Sequence, residues 1–501
     1  MKKQLTYIHQ LKNHISSKVD LAGWVYNVRS SGSLVFIECR DGFGICQCVV
    51  NKVEVSEESW VAAVNLKQES SIRLHGLVVA DERSIGGVEL QVQRVEILQL
   101  VTEYPITPKE HGIEFLMNRR HLWLRSQRQW AVMRVRNGII FAIHNFFQSR
   151  GFIQTDTPIF TPNAAEGSTT LFETDFFEEK AYLAQTGQLY GEALAMAHGL
   201  IYTFGPTFRA EKSKTRRHLS EFWMIEPEMA FYDLEMNMDL AEDMLKSIVA
   251  DILINYSQEL SLLERDTSSL QRLVEKDFVR IKYDDSVDIL TSEKTAQLLD
   301  ELVQQRVSEK EKLGQEQTTI QKEHDSAKKW RKKQIEKRVI DIISRIDQIE
   351  EDLRNIPKWK KSAQEFTWGA DFGGSDETVL TMQFDVPVMV THWPAEIKAF
   401  YMKRDATDTY ALGVDVLAPE GYGEIVGGSQ REDNLEVILA RIEQEGLDPE
   451  VFDWYTDLRR FGSVPHAGFG LGLERTVAWI CGLNHVRETI AFPRMMGRIT
   501  P

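Results

Sequence analysis

The chain has 501 residues, 43% of them hydrophobic, which is enough for a large core and more than one domain. Its 59 Lys and Arg against 75 Asp and Glu give a net charge of -16, which excludes a surface coated in positive charge but allows a local basic face. Four cysteines are too few for a disulfide framework. Because neither a signal peptide nor an apolar run of membrane-spanning length is found, we expect a cytoplasmic protein.

Residues 1–102 are predicted to form a small β-barrel. Residues 19–50 read as short strands separated by turns at Ser30–Gly32 and Asp41–Gly44, and the strand-like runs "SSIRLHGLVVA" and "GVELQVQRVEILQL" follow. About five strands in a hundred residues are typical of an oligonucleotide-binding (OB) barrel. Cys46 and Cys48 lie in such a run without a second pair to complete a zinc site, so we expect them to pack in the sheet. Prolines then mark a linker over 103–125.

Residues 126–290 and 363–501 are predicted to form the two parts of one α+β domain, an antiparallel sheet flanked by helices. The stretch "WAVMRVRNGIIFAIHNFFQSRGF" has helical periodicity and ends near Gly151. The segments "LIYTFGPTFRAE" and "EFWMIEPEMAFY" follow and read as strands.

Residues 291–362 interrupt this domain and are predicted to form a charged helical insertion. Apolar side chains in its second half alternate at spacings of four and three, the heptad pattern of a coiled coil, at Ile335, Val339, Ile342, Ile346, Ile349, Leu353 and Ile356. Such a seam needs a partner, either the first half of the insertion folded back or another chain. The basic stretch "KKWRKKQIEKR" (328–338) fits either a solvated helix face or an added RNA contact.

The stretch "FRAEKSKTRRHLSEF" (208–222) is a basic loop between two predicted antiparallel strands. Period-two alternation places Arg209 and Glu211 on one face, with Phe222 nearby on the returning strand. A guanidinium that grips phosphate, a carboxylate that accepts from an amine and a ring that stacks on a base suit a nucleoside polyphosphate.

Three stretches in order resemble motifs 1, 2 and 3 of the class II aminoacyl-tRNA synthetases: "FFQSRGFIQTDTP" (146–158), the basic loop, and "GFGLGLERTVAWI" (468–480). The glycines of the third do not give the dinucleotide-binding spacing G-x-G-x-x-G. Within the class the chain resembles the aspartate/asparagine/lysine subgroup, and most closely its asparagine-specific members. The resemblance implies ATP-dependent formation of an aminoacyl-adenylate with release of pyrophosphate, followed by transfer to tRNA.

The resemblance also assigns roles at the nucleotide site. Arg209 and Arg475, the two catalytic candidates, would grip the α- and γ-phosphates. Glu211 would accept from the adenine amine, Phe222 would stack on adenine, and Arg217 and His218 would hold the outer phosphates. Asp415 and Glu424 match the carboxylates that hold Mg²⁺ beside ATP.

For the amino acid, the resemblance implies contacts from Glu166, Thr186, Gln188, Glu192 and Arg431. Aspartate enzymes carry a lysine where this chain has Gly191, followed by Glu192. A glutamate accepts from an amide but repels a carboxylate, so we expect Glu192 to select asparagine.

On the barrel, Arg29, Phe36 and Gln47 match anticodon-contacting positions, so the expected partner is tRNA(Asn). The resemblance further implies a homodimer with Pro158 near its interface. Two alternatives remain at this point: an aspartate-specific or non-discriminating aspartyl-tRNA synthetase, and an asparagine synthetase on the same core. The second lacks the barrel that residues 1–102 predict.

Overall fold

The computed structural model describes residues 5–107, 109, 111–162, 171–213 and 215–501. The chain divides into two compact units, one ending at Arg125 and the other beginning at Ser126. Residues 103–125, expected to be a linker, group with the first unit. None of the described helices combines the length and the apolar character that crossing a membrane requires.

The first unit contains a closed barrel with strand order β1-β2-β3-β5-β4, which confirms the predicted five-stranded OB barrel. Its elements are β1 (Lys18–Ser31), β2 (Leu34–Arg40), β3 (Ile45–Asn51), α1 (Glu57–Asn65), β4 (Ser71–Ala80) and β5 (Val88–Gln99). Alternate side chains of each strand fill the interior, as period-two patterning requires. Cys39, Cys46 and Cys48 are buried there as free thiols. Two short helices, α2 (Ile113–Met117) and α3 (Arg120–Trp123), follow the barrel.

The second unit is built on an eight-stranded sheet. Its helices and strands in chain order are α4 (Gln127–Ser149), β6 (Ile153–Thr155), β7 (Phe160–Thr161), β8 (Glu173–Phe176), β9 (Glu179–Leu183), α5 (Gln188–His198), β10 (Leu200–Phe208), β11 (Glu221–Ala230), α6 (Leu234–Asn255), α7 (Ser257–Leu262), α8 (Ser268–Glu275), β12 (Val279–Lys282), α9 (Tyr283–Thr291), α10 (Glu293–Ser326), α11 (Lys329–Gln364), α12 (Gly374–Thr381), β13 (Val388–Pro394), β14 (Tyr410–Ala418), β15 (Gly423–Gln430), α13 (Leu435–Gln444), α14 (Asp453–Arg460), β16 (His466–Gly472) and α15 (Leu473–Cys481).

The strand order of the large sheet is β12-β13-β14-β15-β16-β11-β10-β6, and its central strands run antiparallel. Within this sheet, only the outer pairs β12–β13 and β10–β6 are parallel among the strands that the structure describes. A separate sheet has the order β7-β9-β8. The mixed sheet with flanking helices confirms the predicted fold class.

Helices α4, α6 and α15 cover one face of the sheet and share its largest hydrophobic core. The predicted helix that ends near Gly151 is α4, whose N-terminus is capped by the Ser126 side chain. Gly138 allows α4 to approach its neighbours closely, because a Cβ there would lie 2.4 Å from the Tyr256 ring. This packing supports the strands that carry the candidate site.

The insertion forms an antiparallel hairpin of α10 and α11, in which the predicted seam faces the other limb of the same chain. Ile335, Ile342, Ile349 and Ile356 are at most 3% exposed. Ion pairs cross between the limbs, such as Arg345 Nε to Glu309 Oε1 and Arg338 Nε to Glu316 Oε1, both at 2.7 Å. Of the two alternatives for the seam, the fold-back within the chain is therefore confirmed.

Candidate active site

A cavity of about 630 Å³ lies where the β10–β11 loop meets β11, β15 and α15. It is lined by all seven side chains predicted for the nucleotide site, Arg209, Glu211, Arg217, His218, Phe222, Glu424 and Arg475. Strand β10 ends at Phe208, so Arg209 and Glu211 belong to the following loop, where strand alternation does not apply. Pairing continues one residue further, because the Arg209 amide donates to the Ser220 carbonyl at 3.1 Å. The conformation of the loop therefore brings Arg209 and Glu211 to the cavity. The predicted explanation, alternation along a strand, is wrong for these two residues.

One end of this cavity combines an aromatic ring with charged groups. The Arg209 guanidinium carbon lies 5.6 Å from the centre of the Phe222 ring. The Nε2 atom of His218 lies 3.5 Å from a Glu211 carboxylate oxygen. Burial, and after it the positive charge of Arg475, lowers the pKa of His218, so its ring is a neutral hydrogen-bonding group at pH 7. A flat, amine-bearing base fits between such groups.

At the other end, carboxylates orient two guanidinium groups. Arg217 donates to Glu377 Oε2 at 2.7 Å and to Thr378 Oγ1 at 3.0 Å. Arg475, in the first turn of α15, donates to the carbonyl and the side chain of Glu424 at 2.8 and 3.2 Å. Burial, followed by the charge of Glu424, raises the pKa of Glu377 to about 7. An anion that displaces these carboxylates would meet two oriented guanidinium groups.

Asp415 on β14 and Glu424 on β15 face the same space. A Cβ on Gly427 would lie 2.7 Å from a Glu424 oxygen and 3.6 Å from an Asp415 oxygen, so glycine keeps that space open. Lys398 Nζ donates to Asp415 at 2.9 Å, yet burial raises the pKa of Asp415 to about 6. The described residues include no cluster of three or more His, Cys, Asp or Glu side chains suited to a metal ion. Two carboxylates nevertheless fit Mg²⁺, which usually keeps several waters and binds phosphate oxygens.

A second, more open cavity of about 1740 Å³ adjoins the first. It is lined by three of the residues predicted to bind the amino acid, Thr186, Gln188 and Arg431. The two cavities share the wall residues Arg209, Met224, Glu424 and Gly470. Glu166 falls within residues 163–170, which lie outside the described residues.

Arg431 is paired with a carboxylate that the sequence analysis did not single out. Its Nη2 donates to Glu228 Oε1 at 2.5 Å and its Nε to Glu228 Oε2 at 3.3 Å, while Nη1 donates to Ser429 Oγ at 2.8 Å. Burial raises the pKa of Glu228, and the Arg431 guanidinium opposes that rise. Both residues line the second cavity, so they present a donor and an acceptor side by side.

Glu192, in contrast, faces away from the cavity. Its carboxylate is fully buried and accepts from Tyr455 Oη at 2.9 Å, Arg459 Nη2 at 2.7 Å and Gln188 Nε2 at 3.1 Å, with His466 Nε2 at 3.0 Å. Although burial alone would raise the pKa of Glu192, the charges of Arg459 and His466 hold it below its usual range. Because the Glu192 side chain is fully buried among these partners and does not line the second cavity, the expected direct contact between Glu192 and a substrate amide has no support in this geometry.

Glu228 instead lies opposite Gly191, the position at which aspartate enzymes carry a lysine. A Cβ on Gly191 would lie 3.2 Å from Glu228 Cγ, so a larger side chain on α5 would press against this carboxylate. The Gly191 position, where aspartate enzymes carry lysine, therefore leaves space for Glu228. On the same strand, Glu226 accepts from the Thr186 hydroxyl and from the Gly187 amide, the latter at 2.8 Å.

The sequence does carry a signal for Glu226 and Glu228, although neither belongs to the three motifs. Two acidic residues at alternate positions of an otherwise apolar strand, "MIEPEMA", point to one face, and both are at most 5% exposed. Buried carboxylates need hydrogen-bonding or cationic partners. Two of them on one face of a strand therefore indicate a candidate functional site. Tyr455 and Arg459 carried no comparable signal, because α14 reads as an ordinary amphipathic helix.

The three candidate anticodon residues lie on neighbouring strands of the barrel. Arg29 is directly opposite Phe36, and its guanidinium carbon lies 4.7 Å from the ring centre. Phe36 alternates with the buried Val35 and points outward, half-buried. Gln47 Nε2 donates to Ser84 Oγ and Glu89 Oε2 at 3.4 and 3.3 Å, also on the outer face. A ring, a cation and an amide thus share one surface.

Residues 112–496 match the family described as class II tRNA synthetases (D, K and N), and residues 19–98 match the OB-fold nucleic acid binding domain. The asparagine–tRNA ligase of Sorangium cellulosum is 51% identical over 98% of both chains, and that of Symbiobacterium thermophilum is 48% identical over 99% of both. The crystal structure of asparaginyl-tRNA synthetase from Pyrococcus horikoshii complexed with asparaginyl-adenylate gives a TM-score of 0.83 at 37% identity, covering 99% of this chain and 100% of that one. The chain therefore belongs to the class II tRNA synthetases, and within them to the asparagine–tRNA ligase family.

Proposed function

We propose that this chain is an asparagine–tRNA ligase, which activates L-asparagine with ATP to asparaginyl-adenylate and then transfers the asparaginyl group to tRNA(Asn). The observation that carries the proposal is the shared wall of the two cavities. A nucleotide in one and an amino acid in the other would meet beside Arg209 and Glu424. The reaction joins its two substrates at that point.

In the activation step, a carboxylate oxygen of asparagine forms a bond to the α-phosphorus of ATP. The bond from that phosphorus to the bridging oxygen breaks, and its electron pair leaves with pyrophosphate. The amino-acid carboxylate is already ionised at neutral pH, so no general base is needed. The task of the protein is positioning and charge stabilisation. Arg209 would stabilise the α-phosphate, while Arg217, His218 and Arg475 would hold the outer phosphates.

Mg²⁺ is proposed to bind Asp415 and Glu424 together with ATP. When bound, the ion neutralises phosphate charge. Lys398 is proposed to hold Asp415 in place through its hydrogen bond at 2.9 Å. Arg475 orients Glu424 before ATP binds, through its hydrogen bonds to the Glu424 carbonyl and side chain, and would then turn to the outer phosphates while Glu424 holds the ion.

Selection of asparagine is proposed to rest on the pair formed by Arg431 and Glu228, in place of Glu192. Arg431 would donate to the side-chain oxygen of asparagine, and Glu228 would accept from its NH₂ group. An aspartate would place a second carboxylate near Glu228, and two like charges ~4 Å apart cost about 4 kcal/mol at an effective dielectric constant of 20. With Glu228 fully ionised, that cost corresponds to roughly three decades of discrimination, and the pKa of Glu228, raised to about 7 by burial, makes this an upper bound near neutral pH.

ATP–pyrophosphate exchange with asparagine and with aspartate tests this function. We expect exchange with asparagine, and we expect Glu228→Gln to lower the asparagine-to-aspartate ratio of kcat/KM by on the order of 10- to 1,000-fold, because the repelling charge is removed. The control is Glu445→Gln, which removes a carboxylate from another part of the same cavity. An unchanged ratio in Glu228→Gln would refute the role of Glu228. Preference of the unmodified protein for aspartate would refute the assignment to asparagine.

Mg²⁺ binding should weaken below about pH 6. Asp415 must lose its proton to bind the ion, and its pKa is raised to about 6. Each pH unit below that value should therefore raise the Mg²⁺ concentration for half-maximal exchange by about tenfold. Mg²⁺ titrations at fixed ATP between pH 5 and 8 measure this. Asp415→Asn should raise the Mg²⁺ requirement and remove its dependence on this proton; a pH dependence identical to the unmodified protein would show that another group titrates.

The barrel is proposed to bind the anticodon through Arg29, Phe36 and Gln47. Aromatic stacking on a base contributes ~1–3 kcal/mol, so Phe36→Ala should raise the KM for tRNA in aminoacylation by about 5- to 150-fold. ATP–pyrophosphate exchange needs no tRNA and should stay unchanged. Equal loss of both activities would indicate a folding defect and would remove Phe36 from the proposed surface.

The active protein is proposed to be a homodimer in the cytoplasm. Large apolar side chains are exposed on both sides of Pro158 in the sequence, with Ile153 at 45% and Phe160 at 51%, and on the motif 1 helix α4, with Phe141 at 61%. Strand β6, which carries Ile153, also lies at an edge of the sheet. Sedimentation equilibrium should give a mass of about two chains, and Phe141→Asp should shift it toward one; a monomer at micromolar concentration would contradict the proposal.

A further inference from the structure

The helical hairpin of α10 and α11 forms one wall of a cavity beside the candidate active site. This cavity, about 1560 Å³, is lined on the hairpin side by residues that include Gln348, Asn355 and Trp359. On the opposite side it is lined by Arg216 of the β10–β11 loop and by Arg487, which follows α15. The insertion therefore lies against the two segments that also build the nucleotide site.

A smaller pocket of about 440 Å³ lies between the hairpin cavity and the nucleotide cavity and shares wall residues with both. This pocket shares Arg216 and His485 with the hairpin cavity. It shares Arg217 and Arg475 with the nucleotide cavity. Three neighbouring pockets with shared wall residues thus lie between the candidate nucleotide site and the hairpin.

The face of α11 that lines the cavity continues toward the tip of the hairpin. Residues spaced three and four apart on a helix share one face, and Trp330, Lys333, Lys337 and Ile340 follow this spacing on the side opposite the buried seam. We call these four residues the basic hairpin face. Trp330 is 63% exposed and Ile340 is 53% exposed. The face spans the region beyond the cavity, since Trp330 lies about 27 Å along the helix from Gln348.

The lysines of this face differ from the two arginines near the tip, Arg331 and Arg338. Arg331 and Arg338 are each bound by a carboxylate of α10, Glu323 and Glu316 respectively. Lys333, in contrast, pairs with no acidic side chain in the described part of the chain. Among the described residues, the one acidic side chain paired with Lys337 is Glu264 of the catalytic core, at a long 3.9 Å and with the two side chains 74% and 83% exposed. That contact also shows that this face of α11 turns toward the core.

We propose that the basic hairpin face binds the acceptor arm of tRNA as its end enters the active site. The lysines would contact backbone phosphates and Trp330 would stack on a base or sugar. The chain has a net charge of -16, which disfavours RNA binding in general, so a cationic face on the hairpin that also borders the active site is where an RNA strand can approach. This inference rests on the proposed tRNA ligase function. Because the face begins well beyond the catalytic cavity, it affects binding of tRNA and not the chemistry.

The double variant Lys333→Glu/Lys337→Glu tests the proposal in the full-length protein. At about 0.1 M salt, loss of two phosphate contacts should raise the KM for tRNA(Asn) on the order of 10- to 100-fold. The slope of log KM against log salt concentration should fall by about two. Trp330→Ala should raise the KM for tRNA by about fivefold or more. ATP–pyrophosphate exchange with asparagine should stay unchanged in both variants.

The matched control is Lys294→Glu/Lys312→Glu, which makes the same change in net charge on α10. An unchanged KM for tRNA in Lys333→Glu/Lys337→Glu and in Trp330→Ala would overturn the inference and leave this stretch as a solvated helix face. An equal rise in the control would also overturn it, because the effect would then be general charge repulsion. Should the double variant fail to fold, the exposed single changes Lys333→Gln and Trp330→Ala decide the matter. Absence of exchange in the unmodified protein would refute the ligase function itself.

Discussion

Antiparallel pairing of β11 with β16 is the contact on which both cavities depend. It places Glu228 opposite Gly468 and Met224 opposite Gly472, although the two strands are more than two hundred residues apart in the chain. The glycines of β16 are required at this contact. A Cβ on Gly468 would lie 2.3 Å from the Glu228 carboxylate, and one on Gly470 would lie 2.4 Å from Met224 Cε. Without that space, neither the buried carboxylate nor the wall shared by the two cavities would be possible.

Around this contact, the charged groups are arranged in opposite pairs before any substrate binds. Arg475 is held by Glu424, Arg217 by Glu377 and Arg431 by Glu228. A buried guanidinium without a partner is costly, and a carboxylate partner also fixes its direction. Burial raises the pKa of Glu377 and of Asp415, so these carboxylates are held in their charged form only weakly near neutral pH. A carboxylate with a raised pKa therefore releases its cationic partner readily when a stronger anion, such as a phosphate, binds.

Local patterns in the sequence predicted much of this architecture. Period-two alternation predicted the barrel, heptad spacing predicted the seam of the hairpin, and helical periodicity predicted α4 with its end near Gly151. The seven nucleotide-site residues were found because each belongs to a short motif, and the structure brings all of them to one cavity. Their convergence does not follow from strand alternation, since β10 ends before Arg209.

The orientation of Glu192 shows why the rest could not be predicted. Its sequence position next to Gly191 is right for the amino-acid cavity, but successive residues of a helix point in different directions. Whether its carboxylate faces the cavity or the interior depends on Tyr455 and Arg459, which lie some 260 residues further along the chain. No local pattern connects α5 with α14, and nothing in the periodicity of α14 marks its arginine as the partner of a buried acid. Contacts between helices that are far apart in the chain therefore cannot be predicted from local sequence patterns.

The hairpin occupies the crossover between β12 and β13, two adjacent parallel strands. A parallel pair always requires a connection that leaves the sheet and returns, so an excursion at this point adds chain without altering any strand register. Lengthening both limbs by one heptad would extend the arm by about 10 Å and leave the catalytic machinery as it is. A longer or shorter hairpin can therefore be inserted at this junction. Its length can vary among relatives, or be changed by design, without altering the catalytic domain.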